Sequence, residues 1–595
     1  ITRVITGPVP GPIVIDVPLR ILFVLGMQFD RSLRPGAEYL AVLRGLQASS
    51  TTGAAGARSI DVNIRLLPEA TTDELETAVA EFDPAVVHFI AHGRSGAEPE
   101  IVLTRRVDNK REEDPCSPSR LIGVLRHKDG SERLPPVVVL NACHTGQPSD
   151  AYMPFAAELV KNGVALALGM SGEVADSACR IFTRAFYRAL IDLRPVSMAT
   201  ANARRAAMLH YANFLESAEW IRPTLFILDG AAPQMAVNRS SQILTAAAYS
   251  FKGSSEPLIL CDRLDAFHAY GRHRKQVSSG KLRIPLAFEV SDDASTLGLQ
   301  GTVQIGKSRL LTELASAAVL DGLTPCLIPS GPGFQPPHDL LAFAIRLAEV
   351  MDDTRESFDI PRRVGSEALR AAFLLQGRPY VLDPKDLLAF RIERDRVKME
   401  AAKPGAAGLD ADTVVSVIET DVNQLLADVR NIAGLSSRAV LILIDDLHKY
   451  EAIALTLLNI ATKSGLAGAG GCAGLAFTYS TRLQVGPEIA AYIKDNLSGF
   501  ALESLRPFRD PVESRLAYTQ LLLSRNPPLA GSWRPEHQPQ LDVFFDFLHR
   551  TIRGVPSLFG QGEQLITSAQ GYGFLTAADD DRILQERLKA DGILD

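Results

Sequence analysis

Nothing in this chain of 595 residues is long and apolar enough to cross a bilayer. Its longest apolar runs, ILFVLGMQF from residue 21 and AVLILI from residue 439, fall far short of the roughly 18 to 20 residues that a spanning helix needs, so they read as buried strands. Long blocks of Lys or Arg are also missing. The 62 basic and 69 acidic residues leave a net charge of −7, and no nucleic-acid-binding surface is advertised. Cysteine is scarce: six residues, at 116, 143, 179, 261, 326 and 472, contain no C-x-x-C pair. That usage excludes a dense disulfide framework and predicts reduced thiols in a cytoplasmic setting. No internal repeat is found. The first residue is Ile1 and not Met, so a trimmed start is expected and no targeting segment can be read.

What is present is ordinary globular material, 46% hydrophobic and 22% charged, in a chain long enough for roughly three to five units. Between residues 20 and 230 apolar runs alternate with helical periodicity. RILFVL, SIDVNIRLL, VVHFIAH, VVVLNAC, VALALGM and TLFIL read as strands. Residues 35–47, 71–82, 152–162 and two stretches between 174 and 216 read as helices, with Thr and acidic residues starting the second. The remaining stretch, 93–135, reads as a polar and charged excursion. Near-continuous apolar strands separated by helices predict a mostly parallel sheet covered on both faces. A second alternating section begins with LRIPLAFEV and includes TPCLIPS, AVLILIDD and GLAFTYSTR, with long helices at 338–350 and 411–434. After residue 505 strand signals nearly vanish and helical patterns take over.

In a parallel sheet, sites form beyond the carboxyl ends of the strands. Two apolar runs there stop at small polar clusters: VVHFIAHG delivers His92 and VVVLNACHTG delivers Cys143. A cysteine attacks acyl carbon as its thiolate, so it needs a base close by and partial exposure. His92 sits about 50 residues upstream of Cys143, the order and separation seen in caspases. Amides of the turn after Asn141, together with that of Gly93, are candidate oxyanion donors. His88 shares the strand face of His92 and reads as a structural histidine. His144, adjacent in sequence, is a competing base of poorer reach. The alternative for Cys143 is a small hydrophobe at a strand end.

A second centre is GTVQIGKS. Gly301, Gly306, Lys307 and Ser308 stand at phosphate-loop spacing, in which backbone amides and the lysine meet phosphates and the serine hydroxyl meets Mg²⁺. The apolar run AVLILIDD supplies the matching acidic strand: Asp445 would hold Mg²⁺ through water, and Asp446 would orient an attacking water. Gln304 replaces a customary glycine, so nucleotide binding is expected more firmly than rapid hydrolysis. Strand-end solvation is the bland alternative for the two aspartates.

Two resemblances follow from these motifs. DPAVVHFIAHG, LNACHTG, VALALGM, RPVSMATANARRAAM and RPTLFI resemble the CHAT family of caspase-related peptidases, related also to separase. The resemblance implies His92 as general base, Cys143 as nucleophile and peptide hydrolysis, with Asp176 helping to select a basic side chain. His144 departs from the acidic or small residue more usual after the family's cysteine. Residues 256 to about 570 resemble the STAND branch of AAA-like NTPases, the class of NLR and apoptosome proteins. There the resemblance implies Arg482 of FTYSTR as the arginine facing the terminal phosphate and Pro556 of RGVPSLF as the proline packing near adenine. PLILCDR is a loose match to the segment that opens such modules.

The fold expected is therefore α/β: a caspase- and separase-like parallel-sheet domain over 1–235, a linker over 236–255, a P-loop nucleotide-binding domain over 256–505, a helical subdomain over 506–570, and over 571–595 the start of a winged-helix-like or truncated region. The function expected is that of a cytoplasmic cysteine endopeptidase of NLR-like type, acting in immunity or cell death. ATP/ADP with Mg²⁺ and homo-oligomerisation would control cleavage of a protein substrate, after an activating ligand or sensor partner is recognised. No nucleic acid and no membrane partner is expected. The rival is a STAND scaffold whose caspase-like domain only binds. A transcriptional regulator is disfavoured by the absence of a DNA-reading helix and by the net charge.

Overall fold

A computed structural model describes residues 2–7, 13–16, 18–26, 42, 62–67, 69–95, 98–107, 110–127, 133–148, 152–174, 176–210, 219–231, 236–238, 241–251, 264–279, 284–290, 306–331, 333–363, 365–378, 380, 387–401, 409–432, 439–466, 473–506 and 549. The helix expected at 35–47 (apart from Val42), Gly301, Gln304, Pro556, and the regions 506–570 (apart from 506 and 549) and 571–595 lie outside the described residues.

The first section runs β1 (Thr2–Ile5), β2 (Val14–Asp16), β3 (Leu19–Leu25), β4 (Val62–Leu67), α1 (Thr72–Phe82), β5 (Val86–Ile90), β6 (Gly93–Ser95), β7 (Pro99–Val107), β8 (Lys110–Cys116), α2 (Pro118–Leu125), β9 (Val137–Asn141), α3 (Phe155–Lys161), β10 (Leu166–Met170), α4 (Asp176–Ile191), α5 (Val196–His210), β11 (Pro223–Leu228), β12 (Ala236–Asn238) and α6 (Ser241–Ser250). Its main sheet has the order β1-β11-β10-β9-β5-β3-β4. Every pairing is parallel except β10 with β11. Strands β5, β9 and β10 are buried at every position, as apolar strands covered on both faces must be. Helix α1 starts where the sequence places its signals: Thr71 caps it, and Glu74 closes a reciprocal capping box.

The excursion at 93–135 is more ordered than its polarity implies. β6, β7 and β8 form an antiparallel sheet of their own, followed by α2. Its charges pair across the strands: Arg105 lies opposite Glu112 at 2.8 Å, and Arg94 bonds Glu113. The stretch 236–255, expected as a linker, carries β12, which pairs with β2, and α6, whose Ala247 and Ala248 are buried in the core of the second section. Small apolar residues at helical spacing seal that junction.

The second section runs α7 (Leu264–Ser279), β13 (Leu286–Val290), α8 (Lys307–Leu320), β14 (Thr324–Ile328), α9 (Leu340–Ser357), α10 (Glu367–Leu375), α11 (Leu387–Ala401), α12 (Ala411–Arg430), β15 (Val440–Ile444), α13 (Ala454–Lys463), β16 (Ala473–Ser480), α14 (Gly486–Asp495) and β17 (Ala501–Leu505). Its sheet is wholly parallel, in the order β14-β15-β16-β13-β17. From β13 the chain leaves towards β14, whereas from β16 it leaves past β13 towards β17. Adjacent strands whose connections depart in opposite directions open a crevice at their carboxyl ends, where ligands of such sheets bind. Among the described residues no helix is long and apolar enough to cross a membrane.

Candidate active site

β5 and β9 are parallel neighbours, and their register pairs Ile90 with Asn141. His92 and Cys143 each stand two residues beyond that pair, so they leave the sheet side by side at one level. The Ala91 amide bonds the Asn141 carbonyl at 3.3 Å, carrying the pairing one step past the strand ends. Gly93 then crosses the backbone of Cys143: a β-carbon there would lie 1.9 Å from the Cys143 carbonyl oxygen and 3.0 Å from its nitrogen. Both His92 and Cys143 are half-buried.

The turn after β9 is clamped from beneath. Thr145, buried, donates to the Ala142 carbonyl at 2.8 Å and accepts from the Met170 amide at 3.1 Å. Amides of His144 and Gly146 donate to the carbonyls of Gly172 and Met170 at 3.2 and 2.8 Å. Those two of the expected oxyanion donors are thus committed to holding the turn in this conformation. His144 has φ of 63°, a backbone region uncommon outside glycine. Its Nδ1 pairs with Gln147 Oε1 at 2.8 Å and its Nε2 lies 3.9 Å from Glu173. His88 is fully buried, stacked on Phe23, with Nδ1 2.9 Å from the Tyr187 hydroxyl, the structural setting its spacing predicts. Asp176 opens α4, and that helix is tied to the strand before Cys143 by Asn141 Nδ2 donating to Thr183 at 3.1 Å.

Burial separates the cysteines. Cys116 and Cys326 are fully buried, and desolvation pushes each thiol up to about 12; all four described cysteines are free. Neither buried thiol can act as a nucleophile near neutral pH.

At the second sheet, Gly306 caps α8 with φ of 86°, and Lys307 begins the helix. The Lys307 ammonium meets Asp446 at 2.5 Å, and the Ser308 hydroxyl donates to Asp445 at 2.5 Å. The two pairs, Lys307–Ser308 and Asp445–Asp446, lie far apart in sequence and meet here. Asp446 also takes an ion pair from Lys449 at 2.8 Å and a bond from Ser330 at 3.0 Å. Burial alone would push its pKa up, but Lys307 and Lys449 outweigh that and hold the carboxyl down at about 2. Asp445 is shifted the other way, up, first by burial and then by Asp446 beside it. Thr478 on β16 serves both: its hydroxyl donates to Asp445 at 2.8 Å and accepts from the Asp446 amide at 2.9 Å. Thr478, Lys449 and Ser330 carry no motif in the sequence; the available signal is a hydroxyl that interrupts the apolar run AGLAF at Thr478. Arg482 lies exposed two residues past the end of β16, at the same edge of the sheet as Lys307.

A mixed α/β fold with a parallel-dominated sheet fits a caspase-like CHAT domain. Residues 26–231 match the CHAT domain, and a CHAT domain of that caspase-like peptidase family is present there. It gives this part of the chain a caspase-like, protease-related character. Comparison with curated proteins gave no significant match.

Proposed function

We propose that the chain is a cysteine endopeptidase whose activity is set by the nucleotide state of its second module. The observation that carries the peptidase half is the register of β5 on β9, which sets His92 beside Cys143. In the reaction His92 takes the proton of Cys143 Sγ, and the thiolate attacks a peptide carbonyl carbon. Collapse of the tetrahedral adduct breaks the C–N bond, and the amine leaves with the proton from His92. Water, deprotonated by His92, then hydrolyses the thioester and frees the thiol. Asp176 at the start of α4 is the proposed selector for a basic substrate side chain, and the amide of Gly93 a proposed oxyanion donor.

The nucleotide half is supported by the donor set. A hydroxyl and a carboxylate, Ser308 and Asp445, meet at one point, the oxygen ligands Mg²⁺ favours. A lysine rests on the next carboxylate, ready to exchange it for phosphate oxygens. Gly301, Gly306 and Lys307 would hold the phosphates of ATP or ADP, with Arg482 facing the terminal one and Pro556 near the base. Bound nucleotide supplies free energy that differs between a closed and an assembled form, since only differential affinity shifts such a balance. ADP would favour the closed form and ATP a homo-oligomer, once an activating ligand is recognised, as in NLR-like immune and cell-death proteins.

The test is cleavage of a candidate protein substrate by the parent and by Cys143→Ala. Loss in the variant is expected; equal cleavage removes Cys143 from the reaction and leaves a scaffold whose caspase-like domain only binds.

A further inference from the structure

Between the two sheets lies α7, whose Ala266, Ala269 and Tyr270 are buried in the core of the second section and whose polar side chains reach charged partners on either side. Its His268 Nδ1 meets the Glu81 carboxylate of α1 at 2.8 Å, and its Arg274 donates to the Glu81 carbonyl at 3.4 Å. Glu81 is 5% exposed, so this is an interior contact. The fit is close: a β-carbon on Gly271 would lie 2.5 to 2.8 Å from the three atoms of the Glu81 carboxyl group. Arg65 of β4 enters the same junction, its guanidinium 4.5 Å from the Phe82 ring and 4.9 Å from the Phe267 ring of α7.

The other side of α7 holds the phosphate-loop helix. Arg274 pairs with Asp321 at 2.6 Å, and the Tyr270 hydroxyl donates to the second oxygen of Asp321 at 3.1 Å. Asp321 is the carboxyl-terminal cap of α8, the helix whose first residues are Lys307 and Ser308. One rigid helix of 14 residues, about 20 Å long, therefore has the phosphate-binding lysine at one end and the α7 contact at the other.

On the peptidase side, α1 runs directly into β5, which delivers His92, and the Ala70 carbonyl just before α1 accepts from Thr104 of β7 at 3.0 Å. β7 pairs with β6, which starts at Gly93 against Cys143. We infer that α7 is the coupling element between the two centres: Asp321–Arg274/Tyr270 at one face and Glu81–His268/Gly271 at the other tie the position of α8 to the setting of Cys143. Lys307 must leave Asp446 to meet a phosphate, and α8 shifts as a unit when it does. Contacts of this kind are two-state and not continuously deformable, so a small movement of α8 is passed on. This inference rests on the nucleotide-controlled reading above and adds the path by which control is exerted.

The experiment measures the rate of Cys143 alkylation by iodoacetamide in the full chain, with and without ADP and Mg²⁺, alongside binding of a fluorescent ADP. Gly271→Ala drives the Glu81 carboxyl off α7, and Asp321→Asn weakens the opposite contact. Neither residue belongs to the dyad or the phosphate site. In the parent the two rates differ by a factor in the range typical of site-to-site coupling, about 5 to 150. In both variants the ratio falls to about one while fluorescent ADP still binds. Should Gly271→Ala fail to fold, Tyr270→Phe, which removes only the hydroxyl bond to Asp321, lowers the ratio by itself. Variants that bind ADP and keep the parent's ratio overturn the role of α7 and leave the nucleotide reading standing. A parent that binds ADP with no change at Cys143 removes the coupling alone; a parent that binds no ADP removes both.

Discussion

Gly93 and Cys143 are in backbone contact: the space where a side chain would begin at Gly93 is filled by the Cys143 carbonyl, 1.9 Å from the position of a β-carbon. Gly93→Ala therefore forces two strand ends apart at the point where the proposed dyad of His92 and Cys143 would be assembled. Repacking of this kind costs about 1 to 3 kcal/mol, and displacing a reacting group by about 1 Å costs roughly 100-fold in rate. A fall in Tm with a loss of kcat/KM of at least that order is expected. Unchanged values for both would show that the two residues do not meet.

Thiol chemistry offers a test that needs no substrate. Burial pushes Cys116 and Cys326 up to about 12, so at pH 8 roughly one in ten thousand of each is thiolate. Cys143 is half-buried beside His92. Alkylation followed by peptide mass mapping is expected to find Cys143 modified well before the other two, and His92→Ala to slow that modification. Equal rates in the parent and in His92→Ala would dissolve the dyad.

The site was legible where apolar runs end in chemistry. VVHFI and VVVLN are buried at every position, and a buried parallel strand has one predictable exit, so His92 and Cys143 could be read two residues beyond it. The same logic reaches Asp445, just past the end of VLILI, whereas Lys307 is read from glycine-lysine-serine spacing. It fails for α7, where buried His268 and Tyr270 and half-buried Arg274 are satisfied by distant partners, 187 residues away in the case of His268 and 51 in the case of Tyr270. Hydrophobic periodicity cannot register a helix packed through charges. The β7–β8 hairpin was hidden likewise, since its cross-strand Arg and Glu pairs look in sequence like solvated loop.

Lys307 also carries a prediction about acid stability. A carboxyl whose pKa falls on folding stabilises the fold above its unfolded value of about 3.9 and loses that contribution as pH drops through its folded value. Asp446 is held at about 2, largely by Lys307 set against its own burial. Lys307→Met removes the stronger of its two ammonium partners while Lys449 stays at 2.8 Å. Denaturant unfolding is expected to show the variant less stable by up to roughly 2 kcal/mol at pH 7. The gap should narrow as pH falls from about 4 through about 2, below which Asp446 is protonated in either protein. A gap that stays constant over that window would mean Lys307 does not hold Asp446 ionised.

Thr478 separates a structural part for the acidic strand from one in ligand binding. Its hydroxyl donates to Asp445 and accepts from the Asp446 amide, from within the sheet. Thr478→Val preserves shape and removes both bonds, leaving a buried carboxylate with one donor fewer and a buried amide unmet, at about 1 to 3 kcal/mol for each polar group so exposed to the interior. If Asp445 is also a ligand of Mg²⁺, the loss reaches further, because partners that orient a metal-binding carboxylate are worth about 10- to 100-fold in affinity when removed. Titration of fluorescent ADP with and without Mg²⁺ resolves the two roles. The expected result is a Kd raised by at least 10-fold with Mg²⁺ present and little changed without it, and equal shifts in both conditions would confine Thr478 to holding the strand ends together.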